Sequence, residues 1–229
     1  MSQLIWLGDT DDLEWFPPVS DALKDPDGLL AAGGGLSPRR VLAAYRRGIF
    51  PWYNAGQPVL WWSPDPRSVL MPGEFRRSRS LAKSLRNRGY STRIDSAFEA
   101  VLAACAAPRA GAPGTWITEE MTAVYGELHA LGHAHSIETW RRGELVGGLY
   151  GLCLGRVFFG ESMFSRATDA SKVALARLVE ECLAHGIALI DCQVDSAHVA
   201  SLGSRNLPRR RFLELLSQHV DVASVWPHK

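Results

Sequence analysis

The stretch from Ser136 to Val194 most constrains what this chain can fold into. Its pattern predicts three short antiparallel strands, then a helix, then one more strand that ends in the sequence IDCQV at 190–194. Because side chains alternate faces along a strand, Asp191 and Gln193 are expected to point the same way. A carboxylate and an amide within an apolar run need a reason to be there, since burying polar groups without partners costs free energy.

Helices and strands are expected along most of the chain. The helices are predicted over 38–47, 78–88, 96–106, from Thr118 to about Gly132, 170–185 and 209–218. Beyond the strands of the central stretch, residues 67–71 are predicted to form a strand. A meander of antiparallel strands, a helix and a strand packed beside them is an α+β layout. The same order occurs in acyl-CoA-dependent N-acetyltransferases, although a shared fold by itself says little about function.

A domain boundary is expected near Pro64–Pro66, where a segment rich in Pro, Gly and Trp ends. We therefore expect a small N-terminal α/β domain over 1–66 and a larger domain over 67–229. The aromatic residues beside prolines at 49–53 and 60–67 form either a compact mini-core or a stacking surface for a ligand. The triple glycine at 33–35 lacks the Lys-Ser/Thr of a P-loop and the spacing of a dinucleotide fingerprint.

Charge and hydropathy exclude several classes of protein. The net charge of the 229-residue chain is +1, so no global field attracts nucleic acid or membrane. Locally, seven basic residues and no acid lie between Phe75 and Arg93, and local clusters set the field that a polyanion meets. No apolar run reaches the length of a membrane span, and the N-terminus lacks an apolar signal region. A cytoplasmic protein is expected.

Cysteine and histidine spacings give weak indications of a metal site. The four cysteines form no C-x-x-C pair, so buried thiols are expected. His129, His133 and His135 have an H-x3-H-x-H spacing that could hold a metal. His129 is expected near a helix end and His133 in a loop, which disfavours a shared metal. His198 follows the IDCQV strand, and the sequence assigns it no role.

Seven strings go beyond such patterns. They read DGLLA at 27–31, RGIFPW at 47–52, LWWSPDPR at 60–67, GTWIT at 114–118, LGHAHSIE at 131–138, GESMFS at 160–165 and LIDCQV at 189–194. In this order they closely resemble the leucyl/phenylalanyl-tRNA–protein transferase family, over about residues 15–215.

The resemblance implies a reaction and a fold. The family moves Leu or Phe, and Met less readily, from aminoacyl-tRNA to the α-amino group of proteins that begin with Arg or Lys. The product is marked for bacterial degradation by the N-end rule. No cofactor, ATP or metal is implied, because the tRNA ester already carries the activation. The implied fold joins a small N-terminal domain to an N-acetyltransferase-like (GNAT-like) domain, whose mixed, mostly antiparallel sheet is flanked by helices. We expect a monomer.

The resemblance also assigns reacting groups. Aminolysis of an ester needs a neutral amine, a stabilised oxyanion and good alignment. Asp191 and Gln193 match the family's catalytic residues: Asp191 would orient the Gln193 amide, whose oxygen would accept from the amine. A purely structural pair, or a route assisted by a tRNA hydroxyl or phosphate, is an alternative. Glu161 matches an acid near the acceptor peptide, or it caps or pairs within its own loop.

Matching positions also suggest surfaces for the donor. The apolar pocket for its Leu or Phe side chain would comprise Leu149, Phe158, Met163, Leu178 and Cys182, although such residues are usually core. Unbranched or γ-branched side chains would fit, and β-branched ones would crowd the entrance. Trp52 and Trp116 match positions that stack on the terminal adenosine, with Tyr45 and Tyr125 nearby. The acceptor stem would follow a basic track, alternatively a solvated helix face: Arg76, Arg77, Arg79, Lys83, Arg86 and Arg88.

Two rival functions are weaker. An acyl-CoA-dependent N-acyltransferase needs a Gly-rich phosphate turn before the central helix, and residues 166–170 contain no G-x-G. An RNA-binding module that is not an enzyme leaves Glu161, Asp191 and Gln193 without a role.

Overall fold

The computed structural model describes residues 4–8, 12–108 and 117–226. The strands and helices of these ranges are, in chain order, β1 Ile5–Leu7, β2 Leu29–Gly33, α1 Pro38–Arg46, β3 Phe50–Pro51, β4 Leu60–Trp62, β5 Arg67–Leu70, α2 Arg79–Asn87, β6 Ser91–Ile94, α3 Phe98–Ala106, α4 Glu119–Ala130, β7 Ala134–Arg141, β8 Glu144–Leu154, β9 Val157–Ser165, α5 Ala170–His185, β10 Leu189–Gln193, α6 Ala197–Ala200, β11 Arg205–Leu207 and α7 Arg209–His219.

The strands form two sheets. The smaller has the order β1-β2-β4-β3, and the larger has the order β11-β5-β10-β9-β8-β7-β6. Strands β7, β8 and β9 are an antiparallel meander. Helix α5 then carries the chain across the sheet, and β10 joins β9 in parallel. The predicted α+β fold is confirmed, and so is the predicted order of an antiparallel meander, a helix and a further strand.

Capping residues explain where the first helices begin. The Ser37 side chain accepts from the backbone N–H of Arg40, and Pro38 occupies the first helical position. Ser78 and Thr118 cap α2 and α4 in the same way. Helix α3, predicted to start at residue 96, starts only at Phe98, so neither Asp95 nor Ser96 is its N-cap. The carboxylate of Asp95 instead accepts from the backbone N–H of Ser136 on β7.

The buried face of helix α4 ends before its C-terminal residue. Val124 and Leu128 are buried, but Leu131 is 61% exposed. Leu131 is the C-cap of α4, so the helical period that places Val124 and Leu128 inward no longer applies to it.

Strands β8 and β9 are the two longest strands among the described residues. Gly147 and Gly148 weaken the strand pattern, but both stay inside β8. A Cβ atom at Gly147 would lie 2.5 Å from the Cβ of Ala170, so this glycine lets the start of α5 approach the sheet. Residues 160–165 remain in the strand and complete β9.

A continuous hydrophobic core connects the two sheets. Tyr45 of α1 and Trp61 of β4 belong to the same buried cluster as Leu152 and Phe159 of the larger sheet. The rings of Tyr45 and Phe159 meet edge to face with centroids 5.0 Å apart. A second cluster fills the space between the larger sheet and α5. In the part of the chain that the structure describes, no helix is long and apolar enough to cross a membrane.

Candidate active site

A cleft of about 490 Å³ opens where β9 and β10 lie side by side. Its polar end is lined by Glu161 and Gln193. Its apolar wall comes from the sheet and α5 and comprises Leu149, Met163, Leu175, Leu178 and Ile190. The cleft can therefore hold an apolar side chain next to polar groups.

Glu161, half-buried on β9, is the centre of a hydrogen-bond network at the polar end. The Tyr45 hydroxyl donates to its Oε1 at 2.7 Å, and the Tyr125 hydroxyl donates to its Oε2 at 2.9 Å. The Gln193 Nε2 also donates to Oε1, at 3.0 Å. Four elements, α1, α4, β9 and β10, therefore meet at a single carboxyl group.

Burial shifts the protonation equilibrium of this network. Desolvation raises the pKa of Glu161 to about 7, and the hydrogen bonds from the two tyrosines oppose that rise. Burial, followed by the Glu161 charge, raises the pKa of Tyr45 and of Tyr125 well above the usual value. At neutral pH the phenols are donors, and Glu161 is present in both protonation forms.

Asp191 is held in a different environment. Its side chain and that of Arg67 have 0% exposed area, and they pair through Nε to Oδ1 at 2.9 Å and Nη2 to Oδ2 at 2.7 Å. Oδ1 also accepts from the backbone N–H of Gln193 at 2.9 Å. The expectation that Asp191 orients the Gln193 side-chain amide is wrong, because that amide donates to Glu161 instead.

The reason is a break in the strand period. The register of β10 against β5 shifts between Asp191 and Gln193, and Gln193 has a φ of +61° in the left-handed region. The alternation of side chains that predicts a shared direction does not hold across this irregularity. Arg67 was missed as a site residue. A buried aspartate needs a cationic partner, and this rule could have directed attention to the arginine at the end of LWWSPDPR.

The predicted donor pocket is only partly the observed cleft. Leu149, Met163 and Leu178 line it. Phe158 and Cys182 are fully buried in the core and do not line it. The ring of Phe158 stacks on Trp226 with centroids 5.3 Å apart. Leu175 lies three residues before Leu178 on α5, so helical periodicity could have found it.

The aromatic residues predicted for the adenosine divide into two groups. The rings of Tyr45 and Tyr125 are completely buried, so their predicted stacking role is wrong in this structure. Trp52 is 45% exposed and packs at a tilt against Trp62, which leaves area free for a ligand. Trp116 lies outside the described residues.

The predicted basic track is exposed at all six positions. Arg77 pairs with Glu180 at 2.6 Å. Lys83 and Arg88 line a second hollow of about 640 Å³ together with Arg141, the last residue of β7, and Arg142 in the β7–β8 turn. These two arginines were not predicted, because the sequence does not show which helix the end of a strand and its turn face.

The histidine spacing does not produce a shared site. His129 lies with Nδ1 2.8 Å from the carbonyl oxygen of Ala134, and His135 lies with Nδ1 2.8 Å from Asp95. Within 4–8, 12–108 and 117–226, no three His, Cys, Asp or Glu side chains are placed to hold a metal ion. His198 lines the rim of the cleft.

Comparison with known proteins gives matches over nearly the whole chain. The family model for leucyl/phenylalanyl-tRNA protein transferase matches residues 69–217, and the model for its N-terminal domain matches residues 34–65. The leucyl/phenylalanyl-tRNA–protein transferase of Chromohalobacter salexigens is 60% identical, covering 93% of this chain and 84% of the relative. That of Stutzerimonas stutzeri is 57% identical, with coverages of 95% and 96%.

A solved GCN5-related N-acetyltransferase from Kribbella flavida is 12% identical, with a TM-score of 0.39 over 73% of this chain and 59% of that one. This similarity is too low to carry an argument.

The sequence matches, with a cleft that has one polar end and one apolar wall, define an enzyme that transfers aminoacyl groups. More specifically, the chain belongs to the leucyl/phenylalanyl-tRNA–protein transferase family.

Proposed function

We propose that the protein transfers Leu or Phe, and Met less readily, from aminoacyl-tRNA to the α-amino group of proteins that begin with Arg or Lys. This marks the acceptor for N-end rule degradation in the cytoplasm. The observation that carries the proposal is the contact of Glu161 with Gln193 beside the apolar wall of the cleft. Activity as a monomer is part of the proposal.

The reaction is an aminolysis at the polar end of the cleft. The neutral acceptor nitrogen attacks the ester carbonyl carbon, a C–N bond forms, and the C–O bond to the ribose breaks. The proton lost from the amine ends on the ribose oxygen. The Gln193 Nε2 donates to Glu161, so the Oε1 atom of Gln193 is left to accept from an incoming N–H donor. Gln193 thereby orients the amine for attack.

Glu161 is proposed to bind the cationic acceptor. Its ionised form can pair with the α-ammonium or with the side chain of the N-terminal Arg or Lys. When an ammonium group pairs there and then gives up its proton, the same carboxyl group can hold that proton, because its pKa is about 7.

The apolar wall is proposed to select the donor side chain. Leu149, Met163 and Leu178 present a surface that suits the γ-branched Leu and the flat Phe. A β-branched side chain would place a methyl group at the entrance. Such a pocket discriminates between similar side chains by about 1–3 kcal/mol of transition-state binding free energy.

The tRNA is proposed to bind on the outside of the cleft. The exposed face of Trp52 suits stacking of the terminal adenine, and Trp116 is proposed to share that role. The acceptor stem would lie along α2, where basic side chains contact phosphates without reading bases.

A transfer assay tests the proposal. The protein is incubated with radiolabelled Leu-tRNA and either α-casein or a peptide with N-terminal Arg, and in parallel with acetyl-CoA. Label on the peptide is expected. Acetyl-CoA turnover without leucyl transfer would instead favour the acyl-CoA-dependent function, and RNA binding without either reaction would favour a binding module.

A further inference from the structure

We infer that Arg67 is a positioning residue for this transfer: it holds Asp191 and, through Asp191, fixes the backbone turn that presents the Gln193 amide to the cleft. The inference rests on the proposed function. It also assigns Asp191 a role other than proton acceptor.

The pair between Arg67 and Asp191 is closed to substrate. Two parallel hydrogen bonds join the guanidinium to both carboxylate oxygens, at 2.9 and 2.7 Å, and neither side chain has exposed area. Such bidentate pairs add fixed geometry to their electrostatic attraction. The Gln193 N–H is a third donor to the same carboxylate. An acceptor amine in the cleft therefore cannot reach Asp191 without displacing existing partners.

Arg67 is itself fixed on three sides. Its Nη1 donates to the carbonyl oxygen of Gly48 at 3.1 Å. Its guanidinium lies over the ring of Phe50, 4.8 Å from the centroid, and over the ring of Phe212, at 4.6 Å. Cation–π contacts with two rings restrict a planar guanidinium far more than a lysine ammonium.

This one side chain connects both sides of the Glu161 network. Gly48 follows α1, which carries Tyr45, and Asp191 precedes Gln193. Tyr45 and Gln193 each donate to Oε1 of Glu161. A shift of Arg67 would therefore move two donors that converge on the same atom.

The backbone at Gln193 needs such support. A residue other than glycine at a φ of +61° is strained, and strained backbone persists only when its surroundings hold it. The hydrogen bond from the Gln193 N–H to Asp191 is a contact that holds it. Without a fixed Asp191, the turn can relax and the amide leaves its place beside Glu161.

Replacement of Arg67 tests the inference. For Arg67→Met we expect kcat to fall by about a hundredfold, the size of loss that small misplacements of reacting groups produce, with little change in KM for Leu-tRNA. Arg67→Lys should also lose about tenfold in kcat, since an ammonium cannot donate two parallel hydrogen bonds. As a matched control, Arg211→Gln removes an exposed arginine that pairs only locally with Glu214, and its kcat should equal the wild-type value.

A double variant separates positioning from proton transfer. Arg67→Met with Asp191→Asn removes both buried charges but keeps a side-chain oxygen for the Gln193 N–H. Because the guanidinium that fixes this side chain is still missing, we expect kcat to stay well below the wild-type value, while the pH profile of kcat keeps its wild-type shape. A double variant that folds and loses the pH dependence of kcat would assign the proton to Asp191 and overturn the inference, and a double variant with the wild-type kcat would show that Arg67 positions nothing.

Thermal unfolding of each variant shows which of them are folded at the assay temperature. If Arg67→Met is not, Arg67→Lys and the double variant carry the test, because neither buries an unpaired carboxylate. A wild-type protein that does not transfer Leu overturns the proposed function. A wild-type protein that transfers Leu, with Arg67→Lys equally active, overturns this inference alone.

Discussion

The Gln193 Nε2 lies 3.0 Å from Oε1 of Glu161. The hydrogen bond between Asp191 and Gln193 runs instead from the backbone N–H of Gln193 to the Asp191 carboxylate. The polar residues of β10 thus have separate partners. Asp191 belongs to the buried ion pair with Arg67, and Gln193 belongs to the cleft. The hydrogen-bond network at the cleft is therefore centred on Glu161 and its donors.

The first prediction concerns the pH profile. Below its pKa of about 7, Glu161 is protonated and cannot pair with a cationic acceptor. We expect kcat/KM for a peptide with N-terminal Arg to fall as the pH drops through about 7. Glu161→Gln should lower kcat/KM and remove this acidic limb, leaving the dependence that comes from the amine. An unchanged acidic limb in this variant would exclude Glu161 as its source.

The second prediction concerns stability. The pKa of Glu161 rises from 4.5 to about 7 on folding, so the folded state binds more protons than the unfolded state between these values. The Glu161 contribution to the free energy of unfolding should therefore fall as the pH rises from about 5 to 7. Urea unfolding at pH 5 and pH 8 measures it. The difference in the free energy of unfolding between wild type and Glu161→Gln should change by about 1–3 kcal/mol between these two pH values. A difference that stays constant would refute the raised pKa of Glu161.

The third prediction concerns the phenols. The Tyr125 hydroxyl donates to Glu161 and lowers its pKa, so Tyr125→Phe should move the acidic limb of kcat/KM upward by about 1 pH unit. KM for Leu-tRNA should stay unchanged because the ring is buried. Trp52→Ala, in contrast, should raise that KM about tenfold through lost stacking. A larger KM effect at Tyr125 than at Trp52 would restore the tyrosine as the stacking residue.

The fourth prediction compares two residues of α5. Leu178 lines the cleft and Cys182, about one turn later, does not. Leu178→Ala should enlarge the apolar wall and shift the ratio of kcat/KM for Phe over Leu in favour of Phe by about tenfold. Cys182→Ala should lower stability but keep the ratio. Equal shifts in both variants would mean that the core, and not the wall, selects the donor.

The fifth prediction concerns the basic hollow. Arg142, exposed on the β7–β8 turn, faces the same space as Lys83 and Arg88. Arg142→Gln should weaken binding of Leu-tRNA and reduce the slope of log K against log salt by about 1. Arg211→Gln, which lies outside the hollow, is the control. A salt slope that matches wild type would place the RNA elsewhere.

The sequence predicted the fold well because the informative patterns are local. Ser37-Pro38 and Gly48 bound α1, and the alternation in β7–β9 marks the meander. The resemblance to the transferase family implied that Glu161 and Gln193 both lie near the acceptor, and in the structure the two side chains are hydrogen-bonded to each other. The partners of Asp191 could not be predicted, because they depend on a register shift and on an arginine 124 residues away in sequence. The burial of Tyr45 and Tyr125 could not be predicted either. The sequence does not distinguish a tyrosine ring that stacks on a ligand from one that is buried and donates to a carboxylate.

The most direct test of the central claim is mass spectrometry of an Arg-starting peptide after incubation with Leu-tRNA and the protein. The mass is expected to rise by one leucyl residue at the N-terminus, and an N-acetylated copy of the same peptide should remain unchanged. An unmodified Arg-starting peptide, or equal modification of the acetylated copy, would contradict transfer to the α-amino group.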